Sequence, residues 1–145
     1  MKTTAVLFLL ICSISALASP ETDMPGIVTD GLKAYQKSGS KAALAIWLKE
    51  SPLETGDYST SVNMDGLLSR IEKSYGKMIG FETVRTVNLS PSVCRVYLVL
   101  RFEKGPAFAS FDCYKSKEAW TIPSLDIHTK ASQVFPPGLI GGSSQ

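Results

Sequence analysis

Between Val93 and Ile127 apolar and polar positions alternate by twos, break, and alternate again. Cys94, Val96, Leu98, Leu100 and Phe102 share one side of an extended chain, while Val93, Arg95, Tyr97, Val99 and Arg101 share the other, because successive side chains of a strand point to opposite faces. The even set is the core face. Lys104-Gly105-Pro106 interrupts the pattern, and Ala107, Ala109, Phe111 and Cys113 then alternate with Phe108, Ser110, Asp112 and Tyr114. A loop of Glu103 to Pro106 sets Phe102 opposite Ala107 and puts both apolar sets on one face. A third strand follows Lys117. Trp120 and Ile122 are in phase with each other, Leu125 and Ile127 are one residue out of phase with them, and a β-bulge at Pro123-Ser124 accounts for the slip and bends the sheet.

Upstream the period changes. Ile27, Val28, Gly31, Leu32 and Tyr35 recur at helical spacing behind Pro25, with Asp23 as a cap, and Ser38-Gly39-Ser40 ends this helix and caps the next. Ala42, Ala45, Ile46 and Trp47 mark a short second helix that stops before Ser51-Pro52, and Leu53 to Val62 reads as a polar connection through Gly56 and Asp57. Met64, Leu67, Leu68, Ile71 and Tyr75 form the stripe of a third helix that terminates at Gly76. Phe81 to Leu89 is extended, with a less regular alternation, and Ser90-Pro91-Ser92 turns it into Val93. The expectation is therefore an α+β protein, three N-terminal helices packed on one face of a curved four-stranded antiparallel sheet.

The N-terminus carries Lys2, an apolar run from Ala5 through Ile11, and Ala16-Leu17-Ala18. This is the pattern of a secretory signal peptide over residues 1–18 with cleavage after Ala18, and the apolar run falls short of a membrane span. Bulky Ile11 beside Cys12 argues against a lipid anchor. One domain over residues 19–137 and a flexible tail over 138–145 follow, located outside the cytoplasm, secreted or periplasmic. Loss of Lys2 leaves a formal charge one less than the +2 of the full chain, and no run of Lys or Arg suits nucleic acid.

The order of elements, with AYQKSGSKAALAIWL, SYGKMIGFETVRTV, FEKGPAFASFDCYKSKEAW and the closing Val134-Phe135-Pro136-Pro137, resembles the small extracytoplasmic, bacterial-type members of the nuclear-transport-factor-2-like superfamily. The resemblance covers roughly Pro25 to Pro137. It implies a cystatin-like α+β cone with a pocket between sheet and helices. Across that group the pocket serves ligand binding, dimer contacts or, in some branches, isomerase, dehydratase or cyclase chemistry by Asp, His or Tyr; no position of this chain matches such a motif, so no catalytic residue is carried over.

Candidate chemistry is sparse. His128 is the one histidine, with Asp126 two residues away on the same strand face and Asp112 on the neighbouring strand, a thin basis for a general base; a half-exposed histidine at a strand end is the simpler reading. One histidine and two mature cysteines at no metal-ligand spacing exclude a metal-site pattern, and no cofactor motif is present. Arg95, Tyr97 and Arg101, with Asp112 and Tyr114, make a row on the outer sheet face: either a surface for an anionic ligand or protein partner, or a solvated face with cross-strand charge pairs. Interleaved Val93, Val99 and Phe108 keep a sheet-to-sheet homodimer open. Trp47 and Trp120 read as core anchors, and Asn88-Leu89-Ser90 is a glycosylation pattern weakened by Pro91.

An oxidising compartment makes a Cys94–Cys113 disulfide one outcome. With Glu103 to Pro106 as the loop, Val96 opposes Cys113 and Cys94 lies on the diagonal, about 7–8 Å away between α-carbons, which favours two buried thiols. A loop of Glu103 and Lys104 alone sets the cysteines directly opposite. The reading that best fits the whole chain is a non-enzymatic exported protein that binds a small apolar ligand or a protein partner; the alternative is a small cofactor-free enzyme with His128 and a carboxylate in a pocket between sheet and helices.

Overall fold

A computed structural model describes residues 24–55 and 59–141, with the side chains of Thr55 and residues 59–62 excepted. The elements run α1 (Gly26–Ser38), α2 (Ser40–Trp47), α3 (Pro52–Thr55), α4 (Ser59–Tyr75), β1 (Met78–Ser90), β2 (Val93–Phe102), β3 (Gly105–Ser116), β4 (Ala119–His128), a 3-10 turn at Ala131–Gln133, and α5 (Pro137–Ile140). The protein is α+β. Its four strands form one antiparallel sheet in chain order, β1-β2-β3-β4, and all three hairpins close on two residues, Pro91-Ser92, Glu103-Lys104 and Lys117-Glu118. The expected leader with Ala18 and Cys12, the cap at Asp23, and Gly56-Asp57 lie outside the described residues.

The alternation of β2 and β3 produces the expected core face. Cys94, Val96, Leu98, Leu100 and Phe102, and opposite them Ala107, Ala109, Phe111 and Cys113, are all buried, because a one-residue slip would expose the whole set. Trp47 of α2 meets Phe111 edge-on at 5.0 Å, and Tyr35 of α1 meets Phe102 at 6.2 Å. Leu68 and Ile71 of α4 join the same cluster, with Met64, Leu67 and Tyr75 packed at its margin. These are the stripe positions of the third expected helix. Gly76, at φ +82°, ends α4, and its N–H donates to the Glu72 carbonyl at 2.8 Å; a side chain there would run into Glu103.

Several expectations are corrected. The third helix begins at Ser59, five residues earlier than the Met64 stripe, and α3 occupies part of what read as a polar connection. The buried stripe of α2 is Ala43, Leu44 and Trp47, while Ala45 is exposed. That helix is apolar on nearly every side, and its neighbour chooses the face. Gly31 of α1 leaves the space that the Trp47 indole fills, and the indole N–H donates to the Val28 carbonyl at 3.3 Å. Ser40 caps nothing: Gly39, at φ +85°, reverses the chain so sharply that Ser40 already opens α2, and its hydroxyl donates to Asp65 of α4 at 2.7 Å.

The main correction is to the β2–β3 register. Phe102 pairs with Gly105, Val96 with Phe111 and Cys94 with Cys113, so the loop is Glu103-Lys104 and not Glu103 to Pro106. Gly105 and Pro106 belong to the strand. The turn is held from outside: the Glu103 N–H donates to the Lys77 carbonyl at 3.1 Å and the Lys104 N–H to the Tyr75 carbonyl at 2.8 Å, which satisfies a helix-end carbonyl of α4. Pro106, lacking an N–H, is accommodated opposite Arg101. The β4 bulge stands where expected, the register shifting opposite Cys113 between Thr121 and Ser124. The Ser51 hydroxyl, 3% exposed, donates to the Ile122 carbonyl at this bulge and ties the α2–α3 link to β4.

Candidate functional site

The inner face of the sheet offers little room for a ligand. Trp47, Tyr35, Phe111, Leu32, Leu68, Leu98, Leu100 and Ile122 are the largest fully enclosed side chains, and they converge in the space between sheet and helices. One polar atom is left over among them. Among the described residues no partner lies within hydrogen-bonding geometry of the enclosed Tyr35 hydroxyl, though the Glu72 carboxylate is near; burial first, and then Glu72, push its pKa above the ordinary 10.0. Among the described residues, hollows of about 280, 330 and 380 Å³ open on the surface, at Tyr35-Glu72-Lys77, at Arg70-Tyr75-Thr129 and at Glu50-Lys117-Thr121. His128, Asp126, Asp112 and Arg95 line none of these.

The candidate acid–base group does not assemble. His128, opposite Phe108 at the end of β4, accepts the Lys130 backbone N–H on Nδ1 at 3.0 Å, a bond that closes the strand end and leaves Nε2 as the protonated nitrogen of the neutral ring. Asp112 is engaged elsewhere. Arg95 stands directly opposite it, Nη2 donating to Oδ2 at 2.6 Å and Nε to Oδ1, a two-pronged cross-strand pair. Asp126 is exposed beside Ser110. No group of three or more His, Cys, Asp or Glu suited to a metal occurs among the described residues, and no described helix is long and apolar enough to cross a membrane.

The outer face resolves into two parts. At its margins lie charge pairs: Arg95 with Asp112, and Arg101 with Glu82 at 3.4 Å, both largely in solvent and worth about 1 kcal/mol or less each. At its centre the chain covers itself. After the 3-10 turn, Phe135 comes back onto the sheet and sits edge-on to Tyr97 at 5.6 Å and to Phe108 at 5.4 Å, so that Tyr97 and Phe135 are each only 7% exposed. Tyr114 remains exposed near the far end of β3, Trp120 packs at the core margin, and Asn88 is exposed in β1 opposite Cys94.

What the alternation of residues concealed is β1. Its register against β2 shifts three times, between Met78 and Gly80, between Thr83 and Arg85, and between Asn88 and Ser90. The residue inserted at each shift is apolar and exposed: Ile79 at 52%, Val84 at 41% and Leu89 at 66%. They recur every five positions along an edge strand whose outer side has no neighbour in the sheet among the described residues. The cue was present in the sequence as Ile79, Val84 and Leu89 at equal intervals in a segment of poor alternation. Comparison with protein-family models, with curated proteins and with solved structures finds no match.

Proposed function

We propose that this chain is an exported, non-catalytic interaction protein on a cone of the nuclear-transport-factor-2-like kind, and that it works by pairing with a second copy along the β1 edge. The observation that carries this reading is the row Ile79, Val84, Leu89. Its spacing is self-complementary. A two-fold axis at Val84 sets Ile79 against the partner's Leu89 and Val84 against the partner's Val84, as an isologous contact demands. No like charges face one another in this register, and Glu82 lies one position from the partner's Arg85. The bulges interrupt the edge hydrogen-bond row, so the contact rests on aliphatic side chains.

A small apolar ligand between sheet and helices is the weaker reading, since that space is occupied by Trp47, Phe111 and Tyr35. A sheet-face homodimer is weaker for a parallel reason: Phe135 occupies the centre of the face. Sedimentation equilibrium over a graded concentration series tests the proposal. The protein should show a monomer–dimer equilibrium, and Val84→Arg, which sets two like charges on the axis at a surface position, should be monomeric with an unchanged circular dichroism spectrum. A wild-type chain that stays monomeric throughout, or a Val84→Arg variant that dimerises as strongly as wild type, overturns the reading.

A further inference from the structure

The two mature cysteines occupy one cross-strand site. Cys94 of β2 and Cys113 of β3 are directly paired, both on the core face, and each is 1% exposed. Directly opposed residues of an antiparallel pair have α-carbons about 4.5–5.5 Å apart, inside the 4.4–6.8 Å span that a disulfide accepts. The diagonal arrangement that disfavoured a bridge does not occur. Each thiol is the other's neighbour: Cys94 stands close enough to hydrogen-bond to Cys113.

We propose that Cys94 and Cys113 form a structural disulfide across the β2–β3 hairpin, made by exchange with a low-molecular-weight or protein disulfide before the core closes. In that exchange the two thiols lose two protons and two electrons to the oxidant's sulfur–sulfur bond. One bond forms between Cys94 and Cys113, one breaks in the oxidant, and the oxidant leaves as two thiols. Timing follows from burial. Only a thiolate attacks a disulfide, and in the folded protein burial, reinforced by Cys94, pushes the Cys113 thiol well above its ordinary 9.0, so the reaction belongs to the open hairpin. Afterwards the same burial keeps reductants out. By this account the bridge staples the central strand pair, to whose flanks both β1 and β4 are attached.

Refolding of the denatured chain, residues 19–145, in a glutathione redox buffer tests this independently of whether the chain is exported or dimeric. Alkylation under denaturing conditions without reductant, followed by intact and peptide mass spectrometry, should show a product two hydrogens lighter than the reduced chain, unalkylated, with the Cys94 and Cys113 peptides joined. The folding constant should fall by about two orders of magnitude on reduction, as for a loop of this length. That sensitivity to reductant should vanish in Cys94→Ser/Cys113→Ser. Full alkylation of both cysteines in the refolded protein overturns the proposal, as does a bridged product no more stable than the reduced one.

Discussion

Trp47 packs into the space left by the missing side chain of Gly31, and this makes a quantitative prediction. A β-carbon built on Gly31 would lie 1.9 Å from the Trp47 Nε1 and 2.4 Å from its Cδ1. In Gly31→Ala the indole must retreat by about 1 Å, in a close-packed interior that has no slack to give. Trp47 is fully enclosed, stacks edge-on against Phe111 at 5.0 Å, and donates its indole N–H to the Val28 carbonyl at 3.3 Å. Overpacking costs about 1–3 kcal/mol, and a buried indole N–H without an acceptor about 1–3 kcal/mol more. Against this, Ala in place of Gly inside a helix returns about 1 kcal/mol. Gly31→Ala is therefore expected to destabilise by about 1–5 kcal/mol, opposite in sign to its propensity. Urea unfolding followed by tryptophan fluorescence and far-ultraviolet circular dichroism measures it. The double variant Gly31→Ala/Trp47→Leu should lose less than the sum of the two single losses, because the leucine has no indole edge to displace. A Gly31→Ala protein as stable as wild type, or strict additivity in the cycle, refutes the reasoning.

Three further outcomes are expected. Tyr35→Phe removes a buried hydroxyl that has no partner among the described residues, so stability should hold or rise by about 1 kcal/mol; a loss above 1 kcal/mol by urea unfolding would reveal a hydrogen bond to Glu72. In the reduced protein the Cys113 thiol, raised by burial above its ordinary 9.0, favours the folded state fully below that value. As pH rises past 9.0 the unfolded chain ionises first, so stability should fall by about 1.4 kcal/mol per unit, and pH-dependent melts of the bridged form should lack this decline until the tyrosines titrate. Phe135→Ala removes the ring shared by Tyr97 and Phe108; a loss of about 3 kcal/mol is expected, with faster amide hydrogen exchange over residues 131–141, and unchanged exchange there would show that the segment is held by other contacts.

Much of the sheet could be read from the chain because burial on one face enforces a strict period of two. Cys94 to Phe102 and Ala107 to Cys113 are fixed by that rule alone, whatever the loop between them. The bulge near Pro123 was legible for the same reason, as a break in phase. What escaped was set by distant partners. Gly105-Pro106 carries the local chemistry of a turn, yet the turn is placed one step earlier by the carbonyls of Tyr75 and Lys77. The buried face of α2 could not be chosen from Ala42 to Leu48, nearly all apolar; the glycine that chooses it lies in another helix, at position 31. In β1 three inserted residues scramble the period, so the segment looked irregular when it is a continuous strand of 13 residues.

The two edges of the sheet explain why the candidate surface falls on β1. An open edge is a liability in any soluble protein, and proteins blunt it with bulges, charge or proline, or by covering it. On β4 one such device is visible: the Ser51 hydroxyl, from the link between α2 and α3, donates to the Ile122 carbonyl at the bulge. On β1 the bulges are present three times, but the residues they insert are isoleucine, valine and leucine. A bulge that served only to repel a neighbouring strand gains nothing from aliphatic side chains in solvent and loses by them, since each exposes apolar area that lysine would not. Glu82 and Arg85, one on each side of Val84, supply charge beside the row without interrupting it. Under the proposed pairing the three bulges keep out a regular added strand, and with it the open-ended stacking that an unbulged edge would invite, while the evenly spaced row Ile79, Val84 and Leu89 supplies the contact.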